Sequence, residues 1–278
     1  QILGDGTGGV IHLFERECSV QRRFQKIIEE SPAPSLNSEL RRQICETAVN
    51  MAREGNYRNA GTVEFIVAPD GEFYFLETNT RLQVEHPVTE LVCDVDLVEA
   101  QFRIAETGEL PWHQENIQRN GHAVECRIYC EEPDGTFLPA VGTVKVLHIP
   151  EDPGIRFDSG IAVGQRITAA FDPMVGKLIC HGISRTAALD LCEQGLAGIV
   201  LLGVNNNIDY LSKILKHEAF KTGQLHTEFI KEHALALVPD GPSEEEQTAL
   251  LIAAALDVDL SLIHISEPTR LGMISYAV

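Results

Sequence analysis

The feature that most restricts how this chain can fold is a pair of β-runs, residues 62–68 and 72–82, joined at Pro69-Asp70-Gly71. Proline presets φ for a turn and glycine accepts a positive φ, so the two runs are expected to fold back as a hairpin. With Asp70-Gly71 as a two-residue loop, Pro69 faces Glu72, and counting outward sets Glu64 directly opposite Glu77. Opposed side chains share a face, with Cβ atoms roughly 5 Å apart. Two carboxylates there repel unless a cation lies between them, and Mg²⁺ held by one or two carboxylates plus substrate phosphates suits the spacing. A solvated glutamate pair on a hairpin has the same spacing, so the pair alone decides nothing.

The continuation tips the balance. It reads Glu77-Thr-Asn79-Thr-Arg81-Leu-Gln83-Val-Glu85-His86. If the run stays extended, Glu77, Asn79, Arg81, Gln83 and Glu85 project from one face. Arg81 suits phosphate or bicarbonate, because its planar fork pairs with two oxygens. Glu85 suits a general base.

Elsewhere the pattern is that of an α+β protein. Residues 1–3 and 10–14 flank Gly4-Asp-Gly-Thr-Gly-Gly9, which formally matches GxGxxG. A β-rich run follows it where a dinucleotide fingerprint needs a helix, so the glycines read as turn residues. Asn37 or Ser38 can cap a helix with the stripe Leu40, Ile44, Ala48 and Met51, stopped at Gly55. Asp94 is expected to cap a second helix that ends at Gly108. After a polar stretch to Asn120, short β-runs over 123–170 precede helices begun near Ser184 and Ile208.

Composition narrows the function. The 41 acidic and 22 basic residues give a net charge of −19, which repels nucleic acid and anionic membrane surfaces. No apolar stretch is long enough to span a bilayer. The seven cysteines are odd in number and lack CxxC spacing, so reduced thiols in a cytosol-like compartment are expected. Gln1 carries neither an initiator Met nor a signal peptide, the reading expected of a chain that begins mid-domain.

Glu77 to Glu90, with its core Asn79-Thr-Arg-Leu-Gln-Val-Glu-His-Pro-Val-Thr-Glu90, closely resembles the signature of biotin carboxylases, in the ATP-grasp superfamily. Further stretches share the resemblance: Glu17-Cys-Ser-Val-Gln-Arg-Arg-Phe-Gln-Lys26, Gly61-Thr-Val-Glu-Phe65, Gly121-His-Ala-Val-Glu-Cys-Arg-Ile128 and Asp172-Pro-Met-Val-Gly-Lys-Leu-Ile179. The resemblance implies the C-terminal half of an ATP-grasp domain (1–118) followed by a biotin carboxylase C-terminal domain (119–237), an antiparallel sheet with helices. Residues 238–259 read as a linker. Residues 260–278 resemble the in-frame translation of a DNA-library adapter and are set aside from fold and function.

The resemblance also implies the chemistry, ATP-dependent carboxylation of biotin through carboxyphosphate, as the first half-reaction of an acyl-CoA carboxylase. Glu64, Glu77 and Asn79 would hold two Mg²⁺ or Mn²⁺ ions around ATP. Lys26, Arg81, Gln83 and the Val84 backbone would hold bicarbonate, with Glu85 as its base, and Arg127 would stabilise the biotin oxyanion. Taken alone, Lys26 and Arg127 would be ordinary surface cations. Implied partners are a biotin carboxyl carrier domain, a carboxyltransferase subunit and a second copy of the chain, in the cytoplasm or a mitochondrial matrix. Thr78 stands where the family usually has Met, and Phe24 where it often has His or Asn. The family's other ATP-binding groups belong upstream of Gln1, so this chain alone is expected to have negligible activity. Other ATP-grasp ligases, or a non-catalytic assembly module, are the alternatives.

Overall fold

The computed structural model describes residues 1–132 and 136–239, with Glu245, Thr248 and Ile252. Nearly all of the expected linker, and the whole adapter-like segment 260–278, lie outside the described residues. Residues Gln1–Val238 form one unit by their contacts.

The glycine-rich start folds as a turn between β1 (Ile2–Asp5) and β2 (Val10–His12), which pair antiparallel. Asp5 Oδ1 accepts the Thr7 and Gly9 N–H groups at 2.6 and 3.0 Å, with Gly6 and Gly8 at φ 84° and 103°. A strand follows this loop, in keeping with the turn reading. Next come a small hairpin of β3 (Gln21–Arg22) and β4 (Gln25–Lys26), then β5 (Ile28–Ser31).

Asn37 caps α1 (Ser38–Glu54), its Oδ1 accepting from Leu40 N at 2.8 Å. The buried stripe is Ile44, Cys45, Ala48 and Ala52, rotated from the expected one so that Met51 is on the exposed side. Strands β6 (Arg58–Val67) and β7 (Phe73–Asn79) form the expected hairpin. Helices α2 (His86–Cys93) and α3 (Leu97–Thr107) follow. Asp94 ends α2 in a left-handed conformation (φ 54°), and Asp96 caps α3 by accepting from Glu99 N at 2.7 Å. The expected Asp94 cap is thus corrected. Pro87, well placed in a first helical turn, lets the chain turn helical at His86, so Asp94 meets the end of one helix before the next begins.

The remaining strands are β8 (His122–Tyr129), β9 (Gly142–Thr143), β10 (Val146–His148), β11 (Ile155–Ser159), β12 (Arg166–Ile167) and β13 (Met174–Gly182). Helix α4 (Arg185–Gly198), β14 (Val200–Leu202) and α5 (Ile208–Lys216) complete the regular elements before three single-turn helices. Ser184 caps α4 as expected.

Two four-stranded antiparallel sheets organise these pieces, β2-β1-β6-β7 and β11-β13-β8-β5. Strand alternation explains their packing. On β1, Ile2 packs with Ala48 and Ala52 of α1, whereas Leu3 packs with Leu97, Ala100 and Ile104 of α3. On the second sheet, Val124, Cys126, Leu178 and Cys180 meet Ala188, Cys192 and Leu196 of α4. Ala123 and Ile179, on the opposite face, meet Val88 and Val92 of α2.

One pairing crosses the sequence division expected at 118/119. Strand β5 is the edge of the second sheet, with Ile28 opposite Cys126 and Glu29 opposite Glu125. This carries the Lys26 end of one segment to the Arg127 strand of the other. Among the described residues no helix is long and apolar enough to cross a membrane.

Candidate active site

Glu64 and Glu77 are opposed in the β6–β7 register. They reach it by another route than the one the turn predicts. Ala68 N donates to Glu72 O and Gly71 N to Ala68 O, so Pro69-Asp70-Gly71 is a three-residue loop with Gly71 at φ 89°. That loop alone would offset the register by one residue. An irregularity between Glu64 and Phe65, where Leu76 is passed over, restores it.

Beyond Asn79 the strand ends, so the two-residue period does not extend to Glu85 as the extended-run reading required. Residues 80–85 form a bend and turn that lead into α2, with Glu85 at its N-cap position. The turn still directs Gln83 and Glu85 inward, 5 % and 2 % exposed.

Three donors close around Glu64. Its Oε1 accepts from Lys26 Nζ at 2.8 Å, Gln83 Nε2 at 2.7 Å and Asn79 Nδ2 at 3.1 Å. Asn79 Nδ2 also donates to Glu77 Oε1 at 2.9 Å, bridging the opposed acids. Lys26 Nζ continues to Glu85 Oε1 at 2.7 Å, and Arg127 Nη2 reaches Glu85 Oε2 at 2.9 Å. Lys26, Glu64, Glu77, Asn79, Gln83, Glu85 and Arg127 therefore form one connected network.

Arg81 is placed differently. It is exposed, and among the described residues its guanidinium donates to Leu82 O at 3.2 Å and engages no carboxylate. Its fork is open to a substrate oxyanion. At Val84, the carbonyl accepts from Lys177 Nζ, and among the described residues its N–H has no recorded acceptor. That N–H lies beside the positive end of α2, where backbone donors favour an anion.

Electrostatics sort the groups by task. Burial works to raise the Glu85 carboxyl, but Arg16, Lys26 and Arg127 outweigh it and hold the group down at about 2. Glu85 is ionised at neutral pH. Burial works to lower the Lys26 ammonium and is outweighed by nearby anions, so Lys26 stays charged. Of those anions Glu85 and Glu64 matter at neutral pH; the Cys18 thiol, itself pushed well up by burial, stays protonated.

The residues fit a magnesium ion that arrives with its phosphates. No group of three or more His, Cys, Asp or Glu is arranged to hold a metal among the described residues. Two opposed carboxylates and an amide are a partial ligand set, which suits Mg²⁺ because it keeps waters and substrate oxygens in its shell.

Sequence reasoning missed Arg16, Glu29, Glu125 and Lys177. Arg16 donates to Gln83 Oε1 at 2.7 Å, Thr62 Oγ1 at 2.9 Å, Gln1 Oε1 at 2.8 Å and Thr89 Oγ1 at 3.0 Å. By taking the Gln83 oxygen it turns the Gln83 N–H groups toward Glu64 and the cleft. The available signal was its position, next to the Glu17–Lys26 stretch. Arg16→Met removes four hydrogen bonds, and urea unfolding of the chain should show stability lower by roughly 2–4 kcal/mol. An unchanged midpoint would show that the four bonds do not hold this region.

Comparison with known proteins bears on this geometry. Residues 1–113 match the family described as carbamoyl-phosphate synthase L chain, ATP binding domain. Residues 125–232 match the biotin carboxylase C-terminal domain. The chain belongs to the biotin carboxylase family. Biotin carboxylase 2 of Bacillus subtilis (strain 168) is 48% identical over 233 residues, covering 84% of this chain and 52% of that protein. The mitochondrial methylcrotonoyl-CoA carboxylase subunit alpha of Rattus norvegicus is 45% identical over 240 residues, covering 86% and 34%. Among solved structures, the biotin carboxylase domain dimer of Hydrogenobacter thermophilus 2-oxoglutarate carboxylase, in complex with MgADP, ADP and bicarbonate, has a TM-score of 0.83. It is 40% identical, and the match covers 86% of this chain and 53% of that one. The chain thus spans about half the length of the biotin carboxylase it matches. The second match adds a biotin carboxylase domain to the ATP-binding domain that the first one gives.

Proposed function

We propose that this chain supplies the bicarbonate-activating and biotin-facing part of a biotin carboxylase, with residues 1–118 and 119–237 as its two domain portions. The observation that carries the reading is the single network joining the opposed Glu64 and Glu77 through Lys26 to Glu85 and Arg127. Metal ligands, a paired base and a guanidinium stand in the order that the reaction uses them.

Glu64, Glu77 and Asn79 would hold Mg²⁺ or Mn²⁺ with ATP. When bound, the metal neutralises phosphate charge and orients the γ-phosphoryl group. Bicarbonate would lie against Arg81, the Gln83 amide, the Val84 N–H and Lys26. Glu85 takes its proton, and the bicarbonate oxygen attacks the γ-phosphorus while the bond to the β-phosphate oxygen breaks, giving carboxyphosphate and ADP. Carboxyphosphate splits to CO₂ and phosphate. Phosphate takes the proton from biotin N1, and N1 forms a bond to CO₂. Arg127 stabilises the negative charge that builds on the biotin oxygen.

Held at about 2, Glu85 is a weak base while Lys26 and Arg127 both grip it. An incoming anion that draws those cations to itself loosens the grip and raises Glu85 when a base is needed. The same ion pairs argue that the chain alone has negligible turnover. Its Lys26 and Arg127 are already matched by carboxylates, leaving too little positive charge for a triphosphate. The complete polypeptide, this chain joined to the half that its relatives carry in addition, is the active form.

All seven cysteines are free, which suits a reducing compartment, the cytoplasm or the mitochondrial matrix of a eukaryotic source. The partners are a biotin carrier domain, a carboxyltransferase subunit and a second copy in a homodimer. The acceptor is an acyl-CoA, set by that separate carboxyltransferase.

In the complete polypeptide, labelled bicarbonate should appear on biotin only with ATP and a divalent cation. Glu77→Gln should raise the Mg²⁺ concentration needed for half-maximal turnover about tenfold or more, since one anionic ligand is lost. Carboxylation without divalent cation, or an unshifted Mg²⁺ requirement, would remove the metal assignment.

A further inference from the structure

Behind this network stand two acids that the carboxylation steps leave unused. Glu29 on β5 and Glu125 on β8 are direct register partners, and both are fully buried at 0 % exposure. None of their four carboxyl oxygens has a well-aligned hydrogen-bond donor among the described residues. Such partners have Cβ atoms roughly 5 Å apart, close enough for the carboxyls to meet. Burial is the main cause that pushes both groups above the ordinary carboxylate range; the Glu85 charge raises Glu29 further, and the Glu29 charge raises Glu125.

The charged groups facing the pair come from four elements. Arg127 on β8 puts Nη2 2.6 Å from Glu29 Oε1, an ion pair whose angle is poor for a hydrogen bond. Lys177 on β13 lies 3.9 Å from Glu125 Oε2, Lys26 on β4 acts on Glu29, and Glu85 before α2 is a further anion. Two adjacent ionised carboxylates in so dry a place would cost more than these cations return. One proton held between them removes the repulsion and leaves a single charge beside Arg127.

We propose that Glu29 and Glu125 share one proton, and that the remaining charge on Glu29 makes it a positioning residue that aims Arg127. The inference rests on the biotin carboxylase reading. Nη2 of Arg127 is gripped by both Glu29 and Glu85, whereas its buried Nε has no partner among the described residues. When Glu85 accepts the bicarbonate proton it loses its charge and its hold on Arg127. Glu29 then keeps the guanidinium in place while its fork turns to the biotin oxygen.

The test compares biotin carboxylation with bicarbonate-dependent ATP cleavage in the absence of biotin, because carboxyphosphate decomposes whether or not biotin is present. In the complete polypeptide, Glu29→Gln should lower the ratio of the first rate to the second about tenfold, the size of one charged contact, and Glu29→Asp should restore part of it. Loss of both rates in equal proportion, or an unchanged ratio, overturns the proposal. On the 278-residue chain, the Arg127 guanidinium ¹⁵N–¹H signal should be resolved in the wild type and averaged in Glu29→Gln. Infrared spectra of that chain at neutral pH should show a protonated carboxyl that Glu125→Gln abolishes. If the wild-type polypeptide catalyses neither reaction, the carboxylase reading fails, and the two spectra still decide the placement. An averaged wild-type Arg127 signal, or the absence of the protonated carboxyl, overturns it there.

Discussion

In the complete polypeptide, Glu85→Gln reduces bicarbonate-dependent ATP cleavage by roughly a hundred- to ten-thousandfold, the range for losing a positioned general base. The amide keeps the size of the side chain and still accepts a hydrogen bond, so the loss reports basicity and charge. Lys26 retains Glu64 and Arg127 retains Glu29, so neither cation is stranded and the fold survives. The same substitution changes stability with pH in a defined direction. Glu85 sits at about 2 in the folded chain against an ordinary 4.5. Between those values the unfolded chain binds a proton that the folded chain does not, so this group's stabilisation is present above 4.5 and lost as pH falls toward 2. Urea midpoints should fall less steeply over that window in Glu85→Gln. An equal slope in both proteins would mean that the three cations do not hold Glu85 as described.

Arg127→Lys lowers the ratio of biotin carboxylation to bicarbonate-dependent ATP cleavage by roughly a hundred- to a thousandfold, as removal of an oxyanion donor does. Lysine keeps the charge opposite Glu29 and Glu85 but loses the planar fork that can face a developing oxyanion while still gripping a carboxylate. Steady-state assays with and without biotin separate the two steps. Equal losses in both would move Arg127 from biotin to bicarbonate activation.

The opposed glutamates were legible in the sequence because a strong turn signal fixed the hairpin, yet two departures cancelled. A loop one residue longer than expected was offset by the irregularity at Leu76, which no residue type announces. Gln83 and Glu85 were found through a strand period that stops at Asn79. Their inward placement comes from the turn before Pro87, and the period happened to pick the same residues. Arg81 was placed on that same face and lies exposed, since nothing after Asn79 keeps the alternation. The Glu29–Glu125 pair was not legible at all. It exists because β5 crosses to the second sheet, and a buried acid pair leaves no local pattern among residues 96 positions apart.

In the proposed reaction, opposed carboxylates carry the metal–nucleotide while the donors of the following turn present bicarbonate to the γ-phosphate. Its most direct test is to supply the complete polypeptide with bicarbonate labelled with ¹⁸O, MgATP and biotin, and to measure the label in inorganic phosphate by mass spectrometry. Attack by a bicarbonate oxygen predicts one labelled oxygen in each phosphate formed, abolished in Glu85→Gln along with turnover. Carboxylated biotin accompanied by unlabelled phosphate would contradict it.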